Sequence, residues 1–405
     1  MATNKEQNKL NVPHLRFPEF HGEWEEHGLS EYLDFKNGLN PDSKRFGKGI
    51  KFISVMDILN NPVITYDCIR ASVQATDAEM SSFSVENGDI LFQRSSETLE
   101  DVGRANVYID DKVAVFGGFV IRGKKKANYN PLFFRYLLSS PYARKRIIPM
   151  GAGAQHFNIG QEGLSKVLLN FPSIEEQTKI ASLLHLLDER IATQSKLIED
   201  LKNLKSAIIV EHYRQTEKNE VCVADLGNHF NVGNLAKDDL SETGKPCIIY
   251  GELFTTYGEI ISQIESHTNK TEGMILSKKG DLLFPSSTTV DAVSLIAPSV
   301  INVDNVILGG DMFGIHINHN YNTQYLSYYF NHIAKKQLAK FAKGSTIIHL
   351  HYTDIEKAKL LLPSLEEQNR MAKCLVALDK KVSVEQNLLS SLTCQKSYLL
   401  QQMFI

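Results

Sequence analysis

The chain contains two copies of one pattern, and this repetition constrains its architecture more than any other feature. The segment Asn87–Phe92 (NGDILF) recurs as Lys279–Phe284 (KGDLLF), 192 positions later. The segment Phe171–Gln177 (FPSIEEQ) recurs as Leu362–Gln368 (LPSLEEQ), 191 positions later. Because the two displacements differ by a single residue, the copies share one order of segments. The sequence therefore predicts two similar domains.

Each copy begins with short apolar runs broken by Gly, Asn, Asp and Pro, which predict strands and turns. A Ser-x-x-Glu capping box follows, Ser173 with Glu176 and Ser364 with Glu367, and predicts the start of a long helix. The expected fold class is therefore α/β in the mixed, α+β sense. Four parts are expected: residues 1–172 as the N-terminal segment and first globular domain, 173–216 as the first spacer helix, 217–363 as the second globular domain, and 364–405 as the second spacer helix.

Both predicted helices carry apolar residues at alternating steps of four and three, the pattern of a coiled coil. An antiparallel pairing with Ile198 facing Leu392 gives every apolar seam residue an apolar partner. At 1.5 Å per residue, about 40 residues span about 60 Å, so the pair is predicted to act as a spacer between the globular domains. That each helix packs only on its own domain remains the alternative. The predicted seam consists of Leu187, Ile191, Gln194, Ile198, Leu201 and Lys205 in the first helix and Val382, Glu385, Leu389, Leu392, Lys396 and Leu399 in the second.

Four of these seam positions are polar, and they favour the antiparallel direction. The antiparallel register sets Lys205 opposite Glu385, and it sets Gln194 opposite Lys396. A parallel register would place the two lysines side by side. Because buried polar groups need partners, the antiparallel pair is the prediction.

The formal net charge is −3, so any cationic surface of this chain must be local. The segment Val120–Met150 carries eight Lys and Arg residues and no Asp or Glu. Its aromatic residues are interpreted as core. Lys and Arg clustered at corresponding places of the two copies suit phosphate contacts, with a solvated charged face as the alternative. The candidate phosphate-binding residues are Lys44, Arg45, Lys48, Lys124, Lys125, Lys126 and Lys343.

Polar loops adjoin these basic stretches in both copies. One loop follows each Gly-Asp segment, and another precedes each long helix. Arg, Gln, Ser and Thr side chains match the donors and acceptors of base edges in the major groove. The candidate base-contacting residues are Arg94, Ser95, Gln155, His156, Ser286, Ser287, Thr288, Ser345 and Thr346.

Catalytic and metal-binding motifs are incomplete. Gly118–Lys125 has the Gly and Lys spacing of a phosphate-binding loop but lacks its Ser or Thr. Asn130-Pro131 starts, without completing, the Asn-Pro-Pro-aromatic signature of amino-methyltransferases. Two histidine pairs lack a matching Cys or carboxylate cluster, and the five cysteines are scattered, as expected for reduced thiols. The sequence predicts a chain without catalytic residues or a metal. Since it shows no signal peptide and no apolar run of about 18 residues, a cytoplasmic protein is expected.

Taken together, these segments resemble the specificity subunit of Type I restriction-modification systems. The resemblance spans almost the whole chain and rests on the opening Pro13–Phe20 with Gly22 and Trp24, on the paired Gly-Asp segments, and on the paired Pro-Ser-x-Glu-Glu-Gln helix starts. One departure is that this opening has no counterpart before the second copy, where Tyr213–Asp225 reads as helix end and linker.

The resemblance implies a non-catalytic DNA-recognition subunit with two target recognition domains, each reading one half of a bipartite site in double-stranded DNA. It also implies assembly with two methylation subunits and with restriction subunits. S-adenosylmethionine, ATP and Mg²⁺ would then belong to those partners, with no cofactor in this chain. A solitary DNA-binding adaptor and a stand-alone enzyme are the competing classes; the enzyme would need the motifs that are incomplete here.

Overall fold

The computed structural model describes residues 11–405, and these form two compact units. Unit 1 consists of the described residues up to Ser195 together with Asn387–Ile405, and unit 2 consists of Lys196–Gln386. Each unit contains a globular domain of strands and short helices and a part of both long helices, Ile174–Gln215 and Leu365–Gln402. The predicted fold class, two similar mixed domains with two long helices, is confirmed.

Unit 1 is built around a four-stranded antiparallel sheet in the order Leu33–Asn37, Val120–Lys125, Ile90–Gln93, Ala105–Val107. A second sheet has the order Ser72–Val73, Phe46–Ile53, Ala114–Phe116, Ser84–Val85. Two short antiparallel pairs complete it: Glu25–Gly28 with Leu168–Phe171, and Ser95–Ser96 with Phe157–Asn158. Its short helices are Leu29–Tyr32, Val55–Asn60, Asp77–Phe83, Pro131–Ser139, Pro141–Ile147 and Gln161–Ser165, with 3-10 turns at Ser43–Arg45, Leu99–Asp101 and Ile148–Met150.

Unit 2 repeats this plan with one additional strand in each larger sheet. One sheet has the order Gly227–Asn231, Met312–Ile317, Asp281–Pro285, Ser299–Ile301, Ile260–Ile261. The other has the order Leu240–Ser241, Ser266–Thr268, Lys245–Ile249, Ile307–Gly309, Ile275–Leu276. The short pairs are Asn219–Cys222 with Lys359–Leu362, and Ser287–Thr288 with Ile348–His349. Its short helical segments are Val223–Leu226, Lys237–Asp239, Glu252–Thr255, Ala292–Leu295, Thr323–Tyr329, Phe330–Ala334, Lys335–Leu338, Ala339–Phe341 and Tyr352–Ile355.

The repeated Gly-Asp segment forms the same buried turn in both units. Gly88 and Gly280 have φ angles of 93° and 94°, a region in which glycine is favoured. In unit 1 the buried Asp89 carboxylate accepts backbone hydrogen bonds from Glu86 at 3.0 Å and Lys125 at 2.9 Å. The aspartate therefore closes a turn, which explains its recurrence without a catalytic role.

The repeated Gln at the start of each long helix fixes that helix to its domain. Buried Gln177 donates to the Pro172 carbonyl and accepts from the Asn130 backbone N–H at 3.1 Å. Gln368 makes the same two bonds in unit 2, to Pro363 and Asn322. Both predicted capping serines accept from the Glu backbone N–H three residues later, at 3.4 and 3.3 Å.

The two long helices pack together antiparallel. Within unit 2, Lys205 bonds Asp379 at 2.7 Å and His212 bonds Glu367 at 2.9 Å. Residue numbers therefore rise along the first helix while those of their partners fall along the second, as in an antiparallel pair. Within unit 1, Leu187 shares a hydrophobic cluster with Leu392 and Leu399. The antiparallel direction of the predicted coiled coil is confirmed, and all the predicted seam positions are buried or half-buried. The predicted register is wrong: Lys396 pairs with Asp188 and Lys205 with Asp379, and each partner lies six residues before the predicted one, Gln194 and Glu385 respectively.

The polar partner predicted for Lys205 is corrected by the structure. Its ammonium group makes three hydrogen bonds, two to the Glu259 carboxylate and one to Asp379. Glu385, the predicted partner, forms an ion pair with Lys381. Because Glu259 comes from the globular domain, the helix pattern alone had no means of indicating it.

Candidate nucleic-acid interface

In unit 1, a short strand pair brings together two polar loops that lie about sixty residues apart in sequence. Ser95–Ser96 pairs with Phe157–Asn158, and the Ser95 hydroxyl bonds the Asn158 side chain. Ala152 and Asn158 exchange two backbone hydrogen bonds of 2.9 and 2.8 Å. The residues between them, including Gln155 and His156, are exposed or half-buried at the surface.

Unit 2 contains the same arrangement with different side chains. Ser287–Thr288 pairs with Ile348–His349, and Lys343 and His349 exchange backbone hydrogen bonds of 2.9 and 2.7 Å. Ser345 and Thr346 are exposed between them. We refer to residues 94–96 with 152–158 as the loop pair of unit 1, and to residues 286–288 with 343–349 as the loop pair of unit 2.

A glycine is required at the same place in each loop pair. Gly153 has a φ of 144°, and a Cβ there would lie 2.0 Å from the His156 carbonyl oxygen. Gly344 has a φ of 114°, and its Cβ would lie 2.0 Å from the Ile347 carbonyl oxygen. Gly153 was not among the residues predicted from the sequence, although its equivalence to Gly344, 191 positions later, indicated that both copies need a glycine there.

The structure separates the basic candidates into two locations. Phe46, between Lys44 and Lys48, lines one cavity together with Ser95 of the loop pair. Lys124–Lys126 instead lie at the far end of the strand Val120–Lys125, about 17 Å of strand away from the end beside Ser95. The structure therefore places Phe46, which lies between Lys44 and Lys48 in sequence, beside the loop pair, and it does not bring Lys124–Lys126 there.

Several cations predicted to meet phosphate have intramolecular partners. Arg45 donates to Glu79 at 3.0 Å and to the Gln74 carbonyl at 2.9 Å. This hydrogen bond from Arg45, with another from the Thr76 backbone, lowers the pKa of Glu79 to about 2. Lys124 pairs with Glu86 at 3.2 Å, and Lys125 donates to the Tyr129 carbonyl at 3.1 Å.

Two arginines and the aromatic residues of the Val120–Met150 segment are also held within the fold. Arg122 is buried and donates to the Ser84 carbonyl, and Arg144 donates to the carbonyls of Glu100 and Val102. Burial, with the charge of Arg104 adding to it, lowers the pKa of Arg144 to about 10. The aromatic residues of this segment, Tyr129, Phe133, Phe134, Tyr136 and Tyr142, are buried, as interpreted.

The remaining candidates of unit 2 differ in exposure. Ser286 and Ser287 are buried, and Thr288 is half-buried. Lys343 is exposed and forms an ion pair with Asp354 at 2.5 Å. The hydrogen bond from Lys343 and one from the His351 backbone lower the pKa of Asp354.

The incomplete motifs also have structural explanations. Gly118–Lys125 forms a turn and then the strand Val120–Lys125, with no helix start to bind phosphate. His316 bonds the buried Asp281 carboxylate at 2.6 Å. Within residues 11–405, no group of three or more His, Cys, Asp or Glu side chains is arranged to hold a metal ion, and no helix is both long and apolar enough to cross a membrane.

Comparison with known proteins agrees with this architecture. A family model described as the Type I restriction modification DNA specificity domain matches residues 21–203 and again residues 216–393. A Methanocaldococcus jannaschii chain assigned to the MjaX type I restriction enzyme as its specificity subunit is 23% identical over 404 residues, covering 94% of this chain and 92% of its own length. The MjaVIII type I restriction enzyme specificity subunit of the same organism is 21% identical over 416 residues, covering 95% and 92%.

A solved structure shows the same fold. The crystal structure of the Type-I restriction-modification system S subunit from M. genitalium matches with a TM-score of 0.60 at 16% identity, covering 97% of this chain and 99% of that chain. The family model matches both copies of the repeat and most of the chain. The chain therefore belongs to the Type I restriction-modification DNA specificity family, the non-catalytic DNA-recognition subunits of these systems.

Proposed function

We propose that the loop pair of unit 1 reads one half of a bipartite site in double-stranded DNA and that the loop pair of unit 2 reads the other half. One observation carries this proposal: both units build the same loop pair with the same backbone bonds, yet fill it with different polar side chains. A shared scaffold with divergent exposed side chains is what two readers of different sequences need.

The other candidate residues receive roles within this proposal. The exposed Lys44 and Lys48, on either side of Phe46, contact phosphates. Lys343, which is ion-paired with Asp354, and Lys124–Lys126 contact phosphates more weakly. Residues 1–172 and 217–363 act as the recognition domains. Residues 173–216 and 364–405 act as the spacer helices that set the unread interval between the half-sites.

The proposal includes partners, because this chain carries no catalytic motif of its own. Two methylation subunits and the restriction subunits assemble on the chain in the cytoplasm. They carry S-adenosylmethionine, ATP and Mg²⁺, and the complex methylates adenine or cleaves DNA at the site that this chain selects. Family membership supports this assembly.

The test is to co-express the chain with a cognate methylation subunit and to map N6-methyladenine across the host genome, with the chain omitted as the control. We expect a new methylated motif in two parts separated by a fixed number of unread bases. Assembly of the complex without a new motif would contradict the proposal and would favour a solitary DNA-binding adaptor.

Two double variants assign the half-sites. Replacing Gln155 and His156 with Ala should relax one half of the motif, and replacing Ser345 and Thr346 with Ala should relax the other. Both pairs are exposed, so the fold should be unaffected. If both variants changed the same half, the assignment of one loop pair to each half-site would be wrong.

A further inference from the structure

The two units differ at a turn that is hydrogen-bonded to each loop pair. The turn is Gly117-Gly118-Phe119 in unit 1 and Gly309-Gly310-Asp311 in unit 2, at a displacement of 192. The Arg94 backbone N–H donates to the Phe119 carbonyl at 2.9 Å, and the Ser286 backbone N–H donates to the Asp311 carbonyl at 2.7 Å. The same backbone bond therefore fixes an apolar residue in one unit and an acidic residue in the other.

Because the first two residues of the turn are glycines, its third residue is the one that carries a side chain. A Cβ on Gly118 would lie 1.8 Å from the Asn40 amide oxygen, and one on Gly309 would lie 2.2 Å from the Leu235 Cβ. Gly310 has a φ of 87°. A Cβ at Gly118 or Gly309 would therefore displace a neighbouring side chain, and a side chain at Gly310 would strain the backbone.

In unit 1 this side chain belongs to an exposed apolar surface. Phe119 is 69% exposed, and it lines an open cavity of about 410 Å³ with Met56, Phe46 and Ser95. Met56 and Phe46 are themselves 60% and 43% exposed. A contiguous exposed apolar patch next to a polar loop indicates a surface that a partner covers.

In unit 2 the corresponding side chain is a carboxylate with one oxygen engaged. Asp311 is exposed, and its Oδ2 accepts a hydrogen bond from the Ser287 hydroxyl at 2.8 Å. This bond orients the carboxylate beside the loop pair. Because a carboxylate repels phosphate, its place on a DNA-facing surface is favourable only if it accepts a hydrogen bond from a base.

We propose that Phe119 and Asp311 are specificity-determining residues at corresponding positions of the two half-sites. Phe119, with Phe46 and Met56, contacts the C5-methyl group of a thymine, and Asp311 accepts a hydrogen bond from the N4 amino group of a cytosine. Both contacts are major-groove pairings that these side-chain types make. The inference rests on the proposed function, in which the loop pairs face the DNA.

The test maps N6-methyladenine for the chain co-expressed with its methylation subunit, comparing wild type with Phe119→Ala and Asp311→Ala. The wild-type motif is expected to specify a T·A pair in one half and a C·G pair in the other. Phe119→Ala should lower discrimination at the T·A pair about 10-fold, and Asp311→Ala should do so at the C·G pair. Leu186→Ala and Glu199→Ala, exposed positions on the first long helix, are the matched controls and should leave the motif unchanged.

Binding of the assembled complex to duplexes with single base-pair changes separates the remaining outcomes. If the wild-type chain directs no two-part motif, the proposed function fails. If it directs one, and the variants keep the full motif or lose binding equally on every duplex, the specificity assignment is overturned. Relaxation at a pair other than T·A for Phe119, or C·G for Asp311, also overturns it.

Discussion

Unit 1 and unit 2 agree in the residues that hold the long helices and differ in the residues that face solvent at the loop pairs. Tyr136 bonds Asp188 in unit 1, and Tyr328 bonds Asp379 in unit 2. In unit 1, Lys396 also forms an ion pair with Asp188 at 2.5 Å. In unit 2, Lys205 forms the corresponding ion pair with Asp379 at 2.7 Å. The framework was preserved between the copies while the displayed side chains diverged, as expected when the framework holds the helices and the loops select sequence.

The starts of the two long helices also differ, and the difference concerns the opening segment that the first copy has and the second copy lacks. In unit 1 the buried Glu176 accepts hydrogen bonds of 2.8 and 2.7 Å from Arg16, a residue of that opening. In unit 2 the corresponding Glu367 bonds His212 and Arg370. In the second copy, His212 of the first long helix therefore supplies the contact to this glutamate that Arg16 of the opening supplies in the first copy.

The largest expected difference between the units is at these two glutamates. Arg16→Ala leaves a carboxylate that is 2% exposed without its charge partner, and should lower the free energy of unfolding of unit 1 by about 3–5 kcal/mol. His212→Ala leaves Glu367, which is 31% exposed, with Arg370, and should cost unit 2 about 1 kcal/mol. Urea titration measures both losses of unfolding free energy. The fluorescence of Trp24, the one tryptophan of the chain, reports the unfolding of unit 1, and circular dichroism reports the unfolding of both units.

Arg214→Ala, which removes a 72% exposed guanidinium from the same long helix as His212, is the control and should be nearly neutral. Equal losses for Arg16→Ala and His212→Ala would contradict the proposed difference between the two helix starts.

Acid should weaken unit 2 through Glu259. Burial alone would raise the pKa of Glu259, but the hydrogen bond from His332 and the charge of Lys205 outweigh it and lower the pKa from 4.5 to about 2. A lowered folded-state pKa gives stability that is present above about pH 4.5 and is lost as the pH falls toward 2. The shift corresponds to about 3 kcal/mol. The difference in unfolding free energy between wild type and Glu259→Gln should therefore shrink by about 2.5 kcal/mol from about pH 6 to about pH 2.5, because at the lower pH the carboxyl is still mostly ionised in the folded state.

The control for this titration is Glu265→Gln in the same unit, because the Glu265 side chain is exposed. Its difference from wild type should stay constant with pH. A gap for Glu259→Gln that does not change with pH would show that its ion pair with Lys205 contributes nothing to stability.

The loop glycines should be needed equally in the two units. Gly153→Ala and Gly344→Ala each force a Cβ against a carbonyl oxygen at a positive φ, which should cost about 1–3 kcal/mol of local strain. Each should relax only its own half of the methylated motif, measured by N6-methyladenine mapping. Gly160→Ala, where nothing lies within 4 Å of the added Cβ, is the control. Loss of both halves in either variant would contradict independent reading.

The smallest expected effect distinguishes the two basic locations of unit 1. Replacing Lys44 and Lys48 with Ala should reduce the slope of log binding constant against log salt by about 2, one per lysine. Replacing Lys124–Lys126 should reduce it less per lysine, because Lys124 and Lys125 have partners within the domain. Titrating binding of the assembled complex between 50 and 200 mM salt, about the range over which such contacts weaken, measures both. The reverse order would place the DNA at the far end of the sheet.

The sequence by itself determined the duplication, the mixed fold class, the two long helices and their antiparallel direction. The helices and their starts can be predicted from local sequence, because a capping box and a heptad seam depend on residues three or four positions apart. The starts at Ile174 and Leu365 lie directly after the predicted capping serines.

Only the tertiary structure decided which residues meet. Ser95 and Asn158 are 63 positions apart and are joined by strand pairing, and Lys205 forms an ion pair with Glu259, 54 positions away. Strand register and buried ion pairs depend on how distant segments pack, so no local pattern contains them. For the same reason the sequence located the basic segment 120–150 but not its use, because whether an arginine such as Arg122 faces DNA or a buried carbonyl is settled by packing.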